Sequence, residues 1–184
     1  MREALSYLVD SLLTIYLYVL VLRFVMQLTR ADFRNQIAQF VVTVTNPLIM
    51  PLRRILPPVG KVDSASVIAI ILVTAANIAL LSLIGGNGVL DPFHFALILL
   101  YRIVLTFLQF FLGAILVYAI LSFVVQAGYN PVMALLGTVV EPVLRPFRRI
   151  IPPIANIDLS PLWASLIIGV LLRLLPQLFA LPIT

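Results

Sequence analysis

Most of the side chains here that could do chemistry stand inside runs of apolar sequence. Asp10 lies within Leu5 to Leu28, Asn77 within Ser66 to Ile84, Arg102 and Gln109 within Asp91 to Gln126, and Arg173 within a last run after Ser160. On a helix, Arg102, Thr106, Gln109 and Gly113 recur at i, i+4, i+7 and i+11 and share a face. Tyr7, Asp10, Thr14 and Tyr18 do the same on the first run, and the second adds Thr74 beside Asn77. Ionisable groups inside a membrane usually face the protein interior or a water-filled cavity. Two readings are open: a polar path or solute site, or interhelical hydrogen bonds and ion pairs that hold a bundle. An unpaired carboxylate at mid-membrane costs roughly 2.5–3.5 kcal/mol. Asp10 is therefore expected to be protonated or to have a cationic partner. Arg102 is favoured over Arg173 because it leads a polar face of its own; the competing position for Asp10 is among head groups beside Arg2.

Catalysis has little material. The chain has no cysteine and a single histidine, His94, so a disulfide framework, a thiolate metal site and a histidine pair are excluded. No P-loop, dinucleotide fingerprint or nucleophile elbow occurs. No enzymatic activity, metal, cofactor or nucleic-acid partner is expected. His94, near a helix start, reads as an interfacial residue, with haem ligation as the alternative. Asp63, Asp91, Asp158 and Ser160 sit where helix caps belong. Pro92 and Pro161 follow as first helical residues.

The second concentration of chemistry is a proline-arginine segment that occurs twice. Pro47 to Asp63 reads PLIMPLRRILPPVGKVD, and Pro142 to Asp158 reads PVLRPFRRIIPPIANID, an offset of 95 residues. A fixed offset with this much identity marks a duplication. Pro47 and Pro142 are expected to end or kink the helix before them, since proline lacks the N–H and clashes one turn back. Pro57-Pro58 and Pro152-Pro153 favour an extended exit. Arg53, Arg54, Arg148 and Arg149 stand between apolar neighbours, so their stems can lie on apolar surface while the guanidinium groups reach water or lipid phosphate. With Pro47, Pro51, Pro142 and Pro146 they form the expected lipid or partner interface.

Before each segment lies an amphipathic stripe. Ile37, Phe40, Val41, Val44 and Leu48 recur in frame as Val132, Leu135, Leu136, Val139 and Val143, after Asn35 and Asn130 as caps. Such a helix could lie in the membrane interface or pack on the rest of the protein. Both readings stay open.

The chain of 184 residues is 62% apolar and only 10% charged, against roughly half and a quarter in a soluble domain. It is expected to be an all-α integral membrane protein with four transmembrane helices, arranged as two tandem parallel repeats. The first repeat, 1–88, has spans at about 5–28 and 66–84 around a Pro/Arg loop at 29–65. The second, 89–184, has spans at about 95–126 and 161–181 around a loop at 127–160. Ala65 and Ala69, and Ala75 and Ala79, have the small-xxx-small spacing of closely packed membrane helices. The third span, with its cap, covers roughly 54 Å at 1.5 Å per residue, so it must tilt, kink or protrude, with Gly113 the expected weak point. Gly85 to Gly88 forms the turn before it. Arg30, Arg34, Arg53, Arg54, Lys61, Arg145, Arg148 and Arg149 are eight of the twelve basic residues, and all lie in the two loops. That asymmetry puts both loops in the cytoplasm and both termini outside.

Two copies of N/E-P-x-x-x-P-x-R-R-I-x-P-P-x-x-x-x-D, each between hydrophobic helices, resemble the YggT family of bacterial membrane proteins, whose plastid relatives are called YlmG-type. The resemblance covers nearly the whole chain. The second copy departs with Glu141 for Asn46, Asn156 for Lys61 and Leu159 for Ser64. The resemblance implies a small two-repeat protein of the bacterial inner (plasma) membrane, linked to osmotic-stress tolerance and potassium homeostasis, to cell division or nucleoid distribution, and in plastids to cytochrome b6 assembly. Two kinds of function follow: a channel or transporter component, most simply a homo-oligomer, or a scaffold that binds anionic lipid and membrane-protein partners through its loops.

Overall fold

A computed structural model describes residues 1–56, 62–86, 91–124, 130–150 and 158–179. These residues form six helices: α1 Arg2–Leu28, α2 Gln36–Ile55, α3 Ser64–Gly85, α4 Pro92–Val124, α5 Pro131–Ile150 and α6 Ser160–Leu178. Four of them, α1, α3, α4 and α6, are long and apolar enough to cross a membrane. The chain is thus an all-α, multi-pass membrane protein. The double-proline stretches and Lys61 lie outside the described residues.

Within the first repeat α1 packs chiefly on α3, and within the second α4 packs on α6, while α1 also meets α4. Leu17, Leu20, Val21, Ala65 and Ala69 share one buried cluster; Ala114, Ile115, Ala164 and Ile168 share the other. The alanine pair 65/69 thus lies in the core, as close helix packing in lipid demands, whereas Ala79 faces outward. Gly86, at φ +75° in the left-handed region, closes α3. α4 passes Gly113 without a break and, at 33 residues, is about 50 Å long. Its start lies by α1's start, where Arg102 meets Asp10, and past its end the Asn35 side chain donates to the Pro131 carbonyl at 2.6 Å. Contacts at both ends make α1 and α4 parallel, so both Pro/Arg hairpins lie on one side of the bundle.

Two expectations about the amphipathic helices fail. First, α2 does not end at Pro47 but runs through Pro47 and Pro51, and α5 runs through Pro142 and Pro146. Prolines four apart share one face, and in both helices that face is exposed. The hydrogen bonds they forfeit therefore fall where the bundle does not need them and where water or head groups can reach the orphaned carbonyls. Second, the buried stripe is rotated. α2 buries Ala38, Val41, Thr45 and Ile49 while Phe40 is 64% exposed. α5 buries Leu135, Val139, Val140 and Leu144. Thr45 turns inward because it meets a buried arginine described below, an attraction that apolar periodicity does not register. Both helices thus pack on the bundle through one face and leave the proline face free. Asn35 caps α2 through the Ile37 amide, and Asn130 caps α5 through those of Val132 and Met133.

An uninterrupted α2 fixes a distance. Spin labels on cysteines at Phe40 and Arg54, both exposed, should lie about 21 Å apart along the axis at 1.5 Å per residue, measured by double electron–electron resonance. A markedly shorter distance would mean that the helix folds back at Pro47.

Candidate functional site at the Pro/Arg hairpins

Each hairpin is closed by an arginine from the end of one helix and an aspartate at the start of the next. In the first, Arg53 Nε and Nη2 reach Asp63 Oδ1 and Oδ2 at 3.3 and 2.8 Å. Ser66 Oγ donates to the same carboxylate at 2.6 Å, and Arg53 Nη2 also donates to Gln27 Oε1 at 3.1 Å. One guanidinium thus ties α2 to both α1 and the start of α3. In the second, Arg148 Nε donates to Asp158 Oδ2 at 2.9 Å, while the Ser160 amide donates to Oδ1 at 2.9 Å. Arg148 further holds Glu141 and approaches the Tyr118 hydroxyl at 3.4 Å.

These pairs correct several expected roles. Arg53 and Arg148 are committed to carboxylates, so of the four arginines only Arg54 and Arg149 are exposed and without partners among the described residues. Asp63 stands at the N-cap of α3 but makes no side-chain cap hydrogen bond, because a charged guanidinium outcompetes a backbone amide for it. Asp158 does accept an α6 amide. Ser160 lies inside the first turn of α6, buried, so Asp158 takes the capping role two residues earlier. Asp91 acts at the start of α4, where its carboxylate meets the His94 amide at 3.5 Å and the ring Nδ1 at 3.2 Å.

The electrostatics match the geometry. Asp63 is only 1% exposed. Burial alone would raise its carboxyl, but hydrogen bonds from Arg53 and Ser66, with the positive charges of Arg53 and Arg23, outweigh it and hold the carboxyl below its ordinary 3.8. Asp158 is also lowered: burial opposes, and hydrogen bonds from Ser160 and Arg148 prevail.

Arg23 went unnoticed in the sequence because it is one charge in a long apolar run, the very signal that singled out Asp10. It is 4% exposed. Its Nη1 donates to Thr45 Oγ1 at 2.6 Å, Asn46 Oδ1 at 2.9 Å and the Val42 carbonyl at 3.3 Å. All three acceptors belong to α2, so this arginine pins the amphipathic helix against the first span.

Within the spans, Asp10 Oδ1 meets Arg102 Nη1 at 3.2 Å and Asn77 Nδ2 at 3.1 Å, linking α1, α4 and α3. Tyr18 donates to Gln109 Oε1 at 3.0 Å. Arg173 stands apart on the exposed face of α6, without a partner among the described residues.

A helical bundle of four spans with a clasped Pro/Arg hairpin in each half defines a small two-repeat membrane protein. The sequence matches the CCB3/YggT family over residues 2–84 and 97–179, and the chain belongs to that family. It is 39% identical over 168 residues to protein PA0392 of Pseudomonas aeruginosa, covering 90% of this chain and 85% of that one. It is 38% identical over 170 residues to YggT of Escherichia coli K12, covering 92% and 87%. A Vibrio alginolyticus protein encoded in the proC 3' region is 37% identical over 161 residues, covering 87% and 86%. No solved structure matches the chain.

Two outcomes follow. A folded carboxyl held below its unfolded value adds stability that is complete above about pH 4 and vanishes as pH falls through the lower folded value. The thermal midpoint of the purified protein should therefore drop on the acid side, and Asp63→Asn should begin lower at neutral pH and lose less. Parallel profiles for the two proteins would contradict the role given to Asp63. For the intramembrane pair, Asp10→Arg and Arg102→Asp should each lower accumulation in the membrane, and the double exchange should recover it. A double variant no better than the singles would rule out the pair.

Proposed function

We propose that the protein is a non-enzymatic scaffold of the bacterial inner membrane whose hairpin side faces the cytoplasm and holds anionic head groups and a membrane-protein partner. The observation that carries this reading is the placement of Arg54 and Arg149. They occupy equivalent positions in the two repeats, both exposed, each followed by an isoleucine that is 78% exposed. An arginine beside an outward apolar side chain at the end of an amphipathic helix suits the head-group region, where the apolar group enters the lipid and the cation meets phosphate. Pro47, Pro51, Pro142 and Pro146 continue the same free face. The concentration of basic residues in the hairpins supports the cytoplasmic orientation.

A second reading, a channel or transporter component in osmotic tolerance and potassium homeostasis, is favoured by one feature. Asp10 and Arg102 keep 37% and 32% of their side-chain surface open, so the pair is not sealed off. A pore would then need several copies, since four spans make a thin wall. Ion flux through proteoliposomes of the purified protein separates the two: none supports the scaffold, and flux abolished by Asp10→Asn supports the channel.

For the scaffold, Arg54→Gln with Arg149→Gln should weaken retention of phosphatidylglycerol. At about 1 kcal/mol for each arginine near the surface, the pair accounts for about 30-fold at low salt. Unchanged retention would sink the reading.

A further inference from the structure

The two repeats share the clasp but differ in the space beside it. In the first, Arg23 of α1 fills the gap between span and amphipathic helix and bonds the Val42 carbonyl, Thr45 and Asn46. At the equivalent places the second repeat has Ser122, Gly137, Val140 and Glu141. Ser122 is exposed and bonds its own helix at the Ala119 carbonyl, and Gly137 has no side chain. Two of these four residues, Gly137 and Glu141, line a groove of about 900 Å³ that opens between Leu28 and Thr29 at the end of α1, Tyr118 of α4, and α5. It lies on the hairpin side, at the end of the spans, where lipid head groups sit.

Its charge is specific. Glu141 and Arg145, four residues apart on α5, both line the groove. Arg148 is shared by two carboxylates, Glu141 and Asp158, so that cluster carries one excess negative charge. Arg145, exposed and without a partner among the described residues, supplies one positive charge. The groove is therefore dipolar and close to neutral, unlike the outward arginines, and its volume is that of a small-molecule site.

We propose that this groove holds the head group of a phospholipid with a primary ammonium and a phosphate, phosphatidylethanolamine. The phosphate meets the Arg145 guanidinium, and the ammonium donates hydrogen bonds to Glu141. The glycerol and upper acyl chains lie along Leu28, Met133 and Pro142. Phosphatidylglycerol has no cation for Glu141, and the quaternary ammonium of phosphatidylcholine has no N–H to donate. The proposal is independent of Arg54 and Arg149, which are not in the groove.

Native mass spectrometry of the purified protein, with equimolar phosphatidylethanolamine, phosphatidylcholine and phosphatidylglycerol, tests it. The expected result is one tightly held phosphatidylethanolamine, preferred about tenfold at this site, the ratio that about 1.4 kcal/mol gives. Glu141→Asn, which installs the residue of the first repeat, should abolish that preference and bring phosphatidylglycerol at least to parity. Gly137→Val, which does the same for the groove floor, places a branched side chain against the Tyr118 ring, 3.4 Å from a Cβ there, and should reduce retention of all three at this site. Arg54→Gln with Arg149→Gln should leave the preference intact. Equal retention of the three lipids in the Arg54→Gln, Arg149→Gln background, where the outward arginines no longer hold phosphatidylglycerol, or an unaltered preference in Glu141→Asn, overturns the proposal. So does a preference for phosphatidylglycerol that persists in that background, which would make the groove an anionic-lipid site. Retention unchanged in a folded Gly137→Val would remove the groove as the location.

Discussion

A carboxylate with almost no access to water stands at the start of α3, and the hairpin is arranged around its needs. Asp63 left alone would be an uncompensated buried charge, a defect worth about 3–5 kcal/mol when one partner of a buried pair is removed. Arg53 answers it with two nitrogens on two oxygens, a geometry that lysine could not supply. That demand fixes where α2 must end relative to α3 and, through Gln27, relative to α1. Once Arg53 is turned to Asp63, Arg54 is one residue on and about 100° around the helix, so it points away from the clasp. The same reasoning orders Arg148 and Arg149. The doubled arginine is therefore two residues with different duties, one closing the hairpin and one left exposed without a partner among the described residues.

Duplication supplied two clasps, and the chain has used them differently. The first repeat seals its hairpin with Arg23, a cation whose hydrogen bonds among the described residues go to neutral oxygens of α2. The second repeat replaces the asparagine of that site with Glu141 and leaves the space beside it open. The first half thus acts as a closed brace and the second as a recess with charges of both signs. The inter-repeat bond from Asn35 to Pro131 holds the two at a fixed spacing on one side of the bundle.

Much of this was legible in the sequence. Apolar run lengths gave the four spans, the motif offset gave the repeat, and two spans in each unit gave its parallel sense. The asparagine caps and the pairing of the Asp10 face with the Arg102 face were readable because a polar group in an apolar run has few ways to be satisfied. What escaped detection depended on competition between partners. Asp63 reads as a cap until an arginine ten residues earlier returns in space to claim it. The stripe through Phe40 is the more hydrophobic, yet Thr45 faces inward because Arg23 needs an acceptor. Pro47 reads as a helix stop because sequence does not show that its lost hydrogen bond falls on a free face.

The central claim is that the arginine-aspartate clasp holds each hairpin. It is tested most directly by a double-mutant cycle on Arg53→Gln, Asp63→Asn and the two together, read as thermal unfolding midpoints of the purified protein in detergent. The clasp predicts that Arg53→Gln is the most damaging, since it strands a buried carboxylate. It also predicts that the double variant is clearly more stable than the sum of the singles implies, with a coupling of about 1–3 kcal/mol. Strictly additive effects, or an Arg53→Gln protein as stable as the wild type, would contradict it.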